Sequence, residues 1–385
     1  MRIALVTDGI WPYVLGGMQK HSYYLCKYLA KRGVEVHLFH FNQSSYDISQ
    51  LEFFTDEEKK LIRSFIVPFP SSVKFPGHYL YNSYRYSMRV AHILSRGNFA
   101  YDFIYTKGFT GWHLLKFKSR YHIQCPVGVN FHGYEMFQRP PDRKTWLQHW
   151  LLLRKPVKKI SLNADVVFSY GGKITGIIKD LGVPAGKIFE LPSGVESSFL
   201  EESVPADPSS VIRFVFLGRY ERRKGVEELN VAISDFLDGR PAPEAEFHFI
   251  GPLPENIQLT NQQVFYHGEV RDKYKLRALL TRCDVLLCPS WSEGMPNVIL
   301  EAMACGLAVL ATDVGATSIL VNHKTGWLIP SPDARVIKEK LVEIMTLSSG
   351  QLMDRKRNAR RLIAEQFTWE RLIDVFLSHF KPGMR

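Results

Sequence analysis

Short apolar runs that end in glycine and lead into helical spacing recur along the chain. Ile3–Val6 is a β-rich run. Gly16 and Gly17 follow, and then Gln19–Lys31 carries an apolar stripe at Tyr24, Leu25, Tyr28 and Leu29. Gly33 stops that helix, and Val34–Phe41 is the next predicted strand. A strand, a helix and a strand in this order predict a parallel sheet. Phe103–Tyr105, Val127–Phe131 and Val166–Ser169 read as further buried strands. Residues 42–90 are rich in aromatics and hold Pro68, Pro70 and Pro76, with few clean periods.

A second alternating series begins near residue 211. Strands are predicted at Ile212–Leu217, Glu246–Ile250, Val264–His267, Asp284–Pro289 and Leu307–Ala311. Helices are predicted at Val226–Phe236, Leu276–Arg282, Pro296–Cys305 and Ala334–Met345. The Pro296 helix starts on proline and stops before Gly306, as capping asymmetry expects. A linker holding Pro192, Gly194, Pro205 and Pro208 separates the series. The pattern predicts two Rossmann-like doubly wound α/β domains, 1–195 and 196–365, with a C-terminal helix (Trp369–Phe380) in 366–385. Two such sheets face each other across a cleft, and ligands bind at the carboxyl ends of the strands.

Composition narrows the class. The chain has 385 residues, 45% hydrophobic and 23% charged, as expected of a folded globular protein. The longest charge-free stretch, Tyr121–Tyr134, falls short of the roughly 20 residues a spanning helix needs. Asp8 interrupts the opening apolar run, so no secretory signal is expected. Five scattered cysteines fit a reducing cytoplasm, and Cys283 and Cys288 read as small buried hydrophobes rather than metal ligands. Residues 1–200 hold 26 Lys+Arg against 14 Asp+Glu, whereas 201–385 hold 23 against 24. The basic half suits nucleic acid, an anionic membrane surface or an anionic substrate. Trp146–Ile160, with Trp146, Trp150 and Leu151–Leu153 beside Arg154, Lys155, Lys158 and Lys159, fits an anionic leaflet. It also fits a core helix with a solvated basic face.

Four segments carry candidate chemistry. Glu293-Gly-Met-Pro-Asn-Val-Ile-Leu-Glu301 follows a buried strand and opens a helix. Glu293 is expected at the cleft. Free N–H groups near Asn297 and Val298 can hold an anion, and Glu301 comes just over a turn later. A carboxylate, an anion hole and a second carboxylate suit a sugar–diphosphate–ribose ligand; the plainer reading is a solvated helix start that favours acids. Phe216-Leu-Gly-Arg-Tyr-Glu-Arg-Arg-Lys-Gly225 ends a strand at Gly218 and places Arg219 and Lys224 at its mouth, where they can neutralise a diphosphate or form an ordinary basic loop. Gly16-Gly-Met-Gln-Lys-His21 lets the backbone approach a ligand at a helix start; His21 reads as ordinary helix surface. His132, in Val129-Asn-Phe-His-Gly-Tyr-Glu135, lies just past a buried strand and is also expected at the cleft.

At these residues the chain resembles the family-4 retaining glycosyltransferases of the GT-B fold. The resemblance runs nearly end to end. It is specific in the second half, where the Glu-x7-Glu pattern, Arg219, Lys224 and Lys324-Thr-Gly-Trp-Leu-Ile-Pro330 fit in order, and looser between 42 and 120. It implies a nucleoside-diphosphate sugar bound mainly by the second domain, 196–365, and an acceptor bound by the first, 1–195, through segments between 42 and 120 that vary in the family. Arg219 and Lys224 would bind the diphosphate, with Gly218 beside them, Glu301 the ribose and Glu293 the sugar hydroxyls. Gly294, Met295, Pro296, Asn297 and Val298 would supply donor contacts. From the first domain, Gly16 and Gly17 would approach the phosphates and His132 the donor sugar. Leu191-Pro-Ser-Gly-Val-Glu196 resembles the interdomain segment, and the C-terminal helix the one that crosses back.

There are three departures from the family pattern. Ser193 replaces the usual Asn, Gln19 stands where an acid is common, and Val314-Gly-Ala-Thr-Ser318 lacks a second Gly and an acid. The resemblance implies retention of anomeric configuration and no metal or cofactor, and the chain holds no Asp-x-Asp triplet. The acceptor is expected to be a lipid-linked or surface-glycan intermediate, used in the cytoplasm, with peripheral attachment to the inner membrane as a further expectation. A nucleic-acid module lacks a supporting motif here. A non-catalytic nucleotide-sugar-binding partner would leave Glu293, Arg219 and Lys224 without a task. A phosphorylase would need a pyridoxal-linked Lys that cannot be placed, and a GT-B-fold epimerase is a further alternative.

Overall fold

The computed structural model describes residues 1–14, 16–41, 53–97, 99–201, 211–238 and 244–380. The linker residues Pro205 and Pro208 lie outside them. Two sheets organise the chain, and every strand pair in both is parallel. The first holds β1 (Arg2–Val6), β2 (Glu35–His40), β3 (Ile62–Ile66), β4 (Phe103–Lys107), β5 (Val127–Asn130), β6 (Val166–Ser169) and β7 (Ile188–Glu190), in the order β3-β2-β1-β4-β5-β6-β7. The second holds β8 (Ile212–Leu217), β9 (Ala245–Ile250), β10 (Val264–Tyr266), β11 (Val285–Cys288), β12 (Ala308–Thr312) and β13 (Gly326–Ile329), in the order β10-β9-β8-β11-β12-β13. Both orders reverse next to their first strand, which opens a crevice at the carboxyl ends.

Several elements escaped the sequence pattern for a physical reason. The helix His78–Arg96 buries Asn82, Ser83, Tyr86, Ser87, Val90, Ala91 and Leu94, so half its inward stripe looks polar. The helix Ser349–Gln366 buries Leu352, Met353, Lys356, Ala359 and Ile363. Its lysine is satisfied inside by Asp284 Oδ1 at 2.7 Å. The strands β3, β7 and β13 are short, and β3 and β7 are edge strands with few buried positions.

Two further readings need correction. His21 is buried, not helix surface: its Nδ1 lies 2.6 Å from Lys107 Nζ. The segment 143–163 is not core-facing at its start. Helices Arg143–Gln148 and Arg154–Asn163 are joined by a π-helical turn, His149–Leu153, and Trp146, Leu147, Trp150 and Leu151 are exposed.

The helix Trp369–Phe380 does not stay with the second sheet. Trp369, Leu372, Ile373 and Phe376 enter the core that holds Ile3, Leu5, Leu25, Phe103 and Phe168 of the first. The entry is fixed at Gly194–Val195, where Val195 N donates to Phe367 O at 2.9 Å and Trp369 N to Val195 O at 3.3 Å.

Candidate active site between the two sheets

The second domain contributes a carboxylate locked between cations. Glu293 follows β11 and is only 6% exposed. Its Oε1 accepts from Lys224 Nζ at 2.5 Å and from Ser290 Oγ at 2.9 Å, and its Oε2 from Arg223 Nη1 at 3.4 Å. Burial alone would raise its pKa, but Lys224 and Arg223 outweigh burial and hold it below the usual carboxylate value, so it stays ionised. Lys224 reaches it because the chain turns sharply just afterwards. Gly225 sits at φ 69°, and a Cβ there would stand 1.9 Å from the Pro289 carbonyl oxygen at the end of β11.

The helix Asn297–Ala304 begins at Pro296 with no side chain capping it, so its amide end is available to a ligand. Ser193 Oγ donates to Asn297 Oδ1 at 3.0 Å and Ser193 N to Met295 Sδ at 3.1 Å. The serine that departs from the family pattern thus braces the start of this helix from the interdomain segment. On the same helix, Glu301 pairs with Lys20 of the first domain. Arg219 differs from Lys224. Its side chain is 61% exposed and its Nε donates to Glu221. Gly218 continues β8 in extended form, its N bonded to Ile250 O at 2.9 Å.

The first domain closes the site from above. Gly133 and Gly294 stack backbone on backbone, since a Cβ on Gly133 would lie 3.1 Å from Gly294 N. Gln138 Nε2 donates to both Gly133 O and Glu293 O at 2.6 Å, which ties the two loops together. The helix Gly17–Lys31 points its glycine start at the same place: a Cβ on Gly17 would lie 3.9 Å from Asn297 Nδ2. Lys173 N donates to Gly315 O at 3.0 Å and Ala316 N to Gly294 O at 2.8 Å, so the Gly315 loop joins the contact despite its departures.

His132 sits at φ 63°, its N–H bonded to Asn130 Oδ1 at 2.7 Å. Burial, helped by Lys107 and His21, holds its pKa well below the ordinary imidazole value, so it is neutral. Tyr170 OH and His132 Nδ1 share a hydrogen bond; with the hydroxyl as its donor the ring proton stands on Nε2. That Nε2 is buried with no partner among the described residues, a donor available to a ligand oxygen.

Sequence reasoning found Glu293, Lys224, Gly294, Asn297, Glu301, Gly17 and His132, and these do meet in the cleft. It missed Arg223, Glu221, Glu135, Gln138, Lys20, Lys107 and Tyr170. Arg223 and Glu221 stand within the basic motif, where nothing in spacing separates an inward from an outward arginine. Arg223 pairs with Glu221 at 2.7 Å, Glu135 at 3.7 Å and Glu293 at 3.4 Å, and is the more enclosed of the two arginines.

Two facing parallel sheets with this crevice define the GT-B architecture. The structure is similar to sucrose-phosphate synthase from Thermosynechococcus elongatus, with a TM-score of 0.75 and 20% identity over 99% of this chain and 98% of that one. It is also similar to the lipopolysaccharide outer core galactosyltransferase WaaB, with a TM-score of 0.70 and 16% identity over 99% of each chain.

The sequence model described as Glycosyltransferase Family 4 matches residues 15–199, and that described as Glycosyl transferases group 1 matches 212–346. The chain belongs to the family-4 glycosyltransferases of the GT-B fold. Among curated relatives, it is 23% identical over 257 residues to the putative colanic acid biosynthesis glycosyltransferase WcaL of Escherichia coli, which is 64% of this chain and 61% of that protein. It is 35% identical over 127 residues to the putative teichuronic acid biosynthesis glycosyltransferase TuaC of Bacillus subtilis, 33% of this chain and 31% of that protein. The chain thus spans less than two thirds of the length of these relatives.

Proposed function

We propose that this chain is a retaining glycosyltransferase that moves a hexose-type sugar from a nucleoside-diphosphate sugar to a hydroxyl of a lipid-linked or surface-glycan intermediate. The observation that carries this reading is the Lys224–Glu293 pair beside the uncapped start of the Asn297 helix. Lys224 and that amide end meet the charge that develops on the departing diphosphate, in a site where water is largely excluded. Arg219, held at the rim by Glu221, swings onto the same phosphates. Glu293 takes hydroxyls of the donor sugar and Glu301 those of the ribose, releasing Lys20. The neutral His132 donates from Nε2 to the donor sugar, and Gly16 and Gly17 let the first helix approach the phosphates.

The acceptor oxygen attacks the anomeric carbon from the face the diphosphate leaves. The C–O bond to the diphosphate breaks as the new one forms, and a donor phosphate oxygen takes the acceptor proton. No metal and no cofactor enters this scheme, and the protein acts on the cytoplasmic side of the inner membrane. A surface built from two elements supports membrane attachment. Val73, Phe75 and Tyr81 are exposed, as are Trp146, Leu147, Trp150 and Leu151. A Cβ on Gly77 would lie 3.7 Å from Leu152, so the segment that carries Val73 and Phe75 approaches the helical segment of the tryptophans. Lys74, Arg143, Lys144 and Lys155 are exposed on the same two segments and add the positive charge that an anionic leaflet attracts.

A thermal-shift screen with UDP, GDP and ADP tests the donor site, because a ligand that binds the folded state raises the melting temperature by mass action. One of the three should stabilise the protein, and Lys224→Ala should lose that response and lower transfer by about 100-fold or more. Near-wild-type transfer by Lys224→Ala would remove the mechanism.

A further inference from the structure

A second carboxylate stands at the rim of the first sheet with no task in the scheme above. Asp8 follows β1, Lys107 ends β4 and His132 follows β5, and these strands are neighbours. Asp8 and His132 therefore both stand at the carboxyl end of the first sheet, on strands two apart. Asp8 is partly open, and its Oδ1 accepts from Gln19 Nε2 at 3.1 Å. Gln19 in turn is packed against the glycine turn, since a Cβ on Gly16 would lie 2.2 Å from its Oε1. Asp8 thus stands one hydrogen bond from the start of the first helix, carried there by β1.

The surroundings of Asp8 suit a sugar. Tyr79 lies beside its carboxyl and is 47% exposed, and the ring of Phe109 stands 6.3 Å from that of Tyr79, edge to face. Aromatic rings next to a carboxylate offer an apolar face for a pyranose ring and an acceptor for its hydroxyls.

We propose that Asp8, held by Gln19 and flanked by Tyr79, forms the acceptor subsite: its carboxylate accepts a hydrogen bond from a hydroxyl of the acceptor sugar and orients that sugar toward the donor. This rests on the glycosyl-transfer reading above. The proton of the reacting hydroxyl still goes to the donor phosphate, so Asp8 positions and is not the base. The groups that face it are Gln19 from the first helix, Lys107 from β4, and Tyr79 and Tyr86 from the helix His78–Arg96. Burial raises its pKa to about 6, against the pull of Gln19, Lys107 and Tyr79. The ionised, hydrogen-bond-accepting form therefore prevails above that pH and is lost below it.

The test uses the full chain with the nucleotide sugar identified by thermal shift, and with membrane-extracted lipid-linked glycans and simple methyl glycosides as acceptor probes. Asp8→Asn should lower kcat/KM for the acceptor by about 100-fold, mainly through KM, because a site built to bind a hydroxyl loses its partner. The wild type should show an acid limb near pH 6 in that profile, and Asp8→Asn should lack it. Asp8→Glu should recover part of the loss, and stabilisation by the nucleoside diphosphate should be unchanged in both variants. An Asp8→Asn enzyme with the wild-type acceptor KM and the same acid limb overturns the subsite. If Asp8→Asn does not fold, Tyr79→Ala serves instead, since it removes the ring beside the carboxylate: a raised acceptor KM supports the subsite and an unchanged one overturns it. Lack of any nucleoside-diphosphate binding by the wild type overturns the transfer reading itself, and the subsite with it.

Discussion

Gly294 lies so close to His132 that a methyl group built on it would stand 1.7 Å from the His132 carbonyl oxygen. The two residues belong to different domains, so this is where the sheets' loops meet main chain to main chain. Gly294→Ala cannot keep the contact, because the obstacle is backbone and has no rotamer to yield. Each domain should still fold. Transfer should fall by about 100-fold, as expected when reacting groups are displaced by an ångström or so. Small-angle scattering should show a larger radius of gyration than the wild type. A variant as compact and as active as the wild type would contradict this account.

The ionised Glu293 makes a pH prediction. Its folded pKa lies below the ordinary value of 4.5, because Lys224 and Arg223 overcome the burial that would raise it. Its contribution is therefore complete above that value and fades as pH falls through the folded pKa. Glu293→Gln should be less stable than the wild type by about 1–3 kcal/mol at pH 7, since it takes the carboxylate partner from Lys224 and one of three carboxylates from Arg223. Urea titrations should show that gap closing below the ordinary carboxylate value. A gap that stays constant to strongly acid pH would mean that the carboxylate is not held this way.

Lys356 and Asp284 form a second enclosed pair, with side chains 4% and 8% exposed and 2.7 Å between them. Asp284 Oδ2 also accepts from Arg213 N at 2.9 Å, at the start of β8. Lys356→Met should cost about 3–5 kcal/mol, because it leaves a buried carboxylate unpaired. Adding Asp284→Asn should restore part of that loss. Equal stability of the single and double variants, measured by denaturant unfolding, would argue against coupling.

The exposed Trp146 and Trp150 rings stack in parallel, 6.2 Å apart. On vesicles containing anionic lipid the wild type should float, and on neutral vesicles it should float much less. Trp146→Ala with Trp150→Ala should cut flotation by about 10-fold or more while leaving the melting temperature within a few degrees, because exposed residues carry little folding energy. Flotation unaffected by the double change would place the contact elsewhere.

Much of the core architecture was legible because buried parallel strands are continuous apolar runs and their turns need glycine. Strands β1, β4, β5, β8 and β11 illustrate this. The helix His78–Arg96 was not, since its inward stripe includes the polar Asn82, Ser83 and Ser87, which a hydrophobic period does not mark. The cleft motifs were legible from residue type at strand ends. The direction of a long side chain was not: Arg219 and Arg223 are equivalent on paper, and only the acids around them, Glu221, Glu135 and Glu293, decide which one is drawn inside. His21 and Lys107, far apart in sequence, gave no sign that they would share a buried bond.

The helix Trp369–Phe380 fills the core beneath β1 and β4, although the entire second sheet is translated between those strands and the helix. During synthesis the first domain must therefore wait, with Leu5, Phe103 and Phe168 uncovered, until the other domain has been made. The two domains cannot mature independently, and damage near residue 370 would be felt first in the half of the molecule that was synthesised earliest.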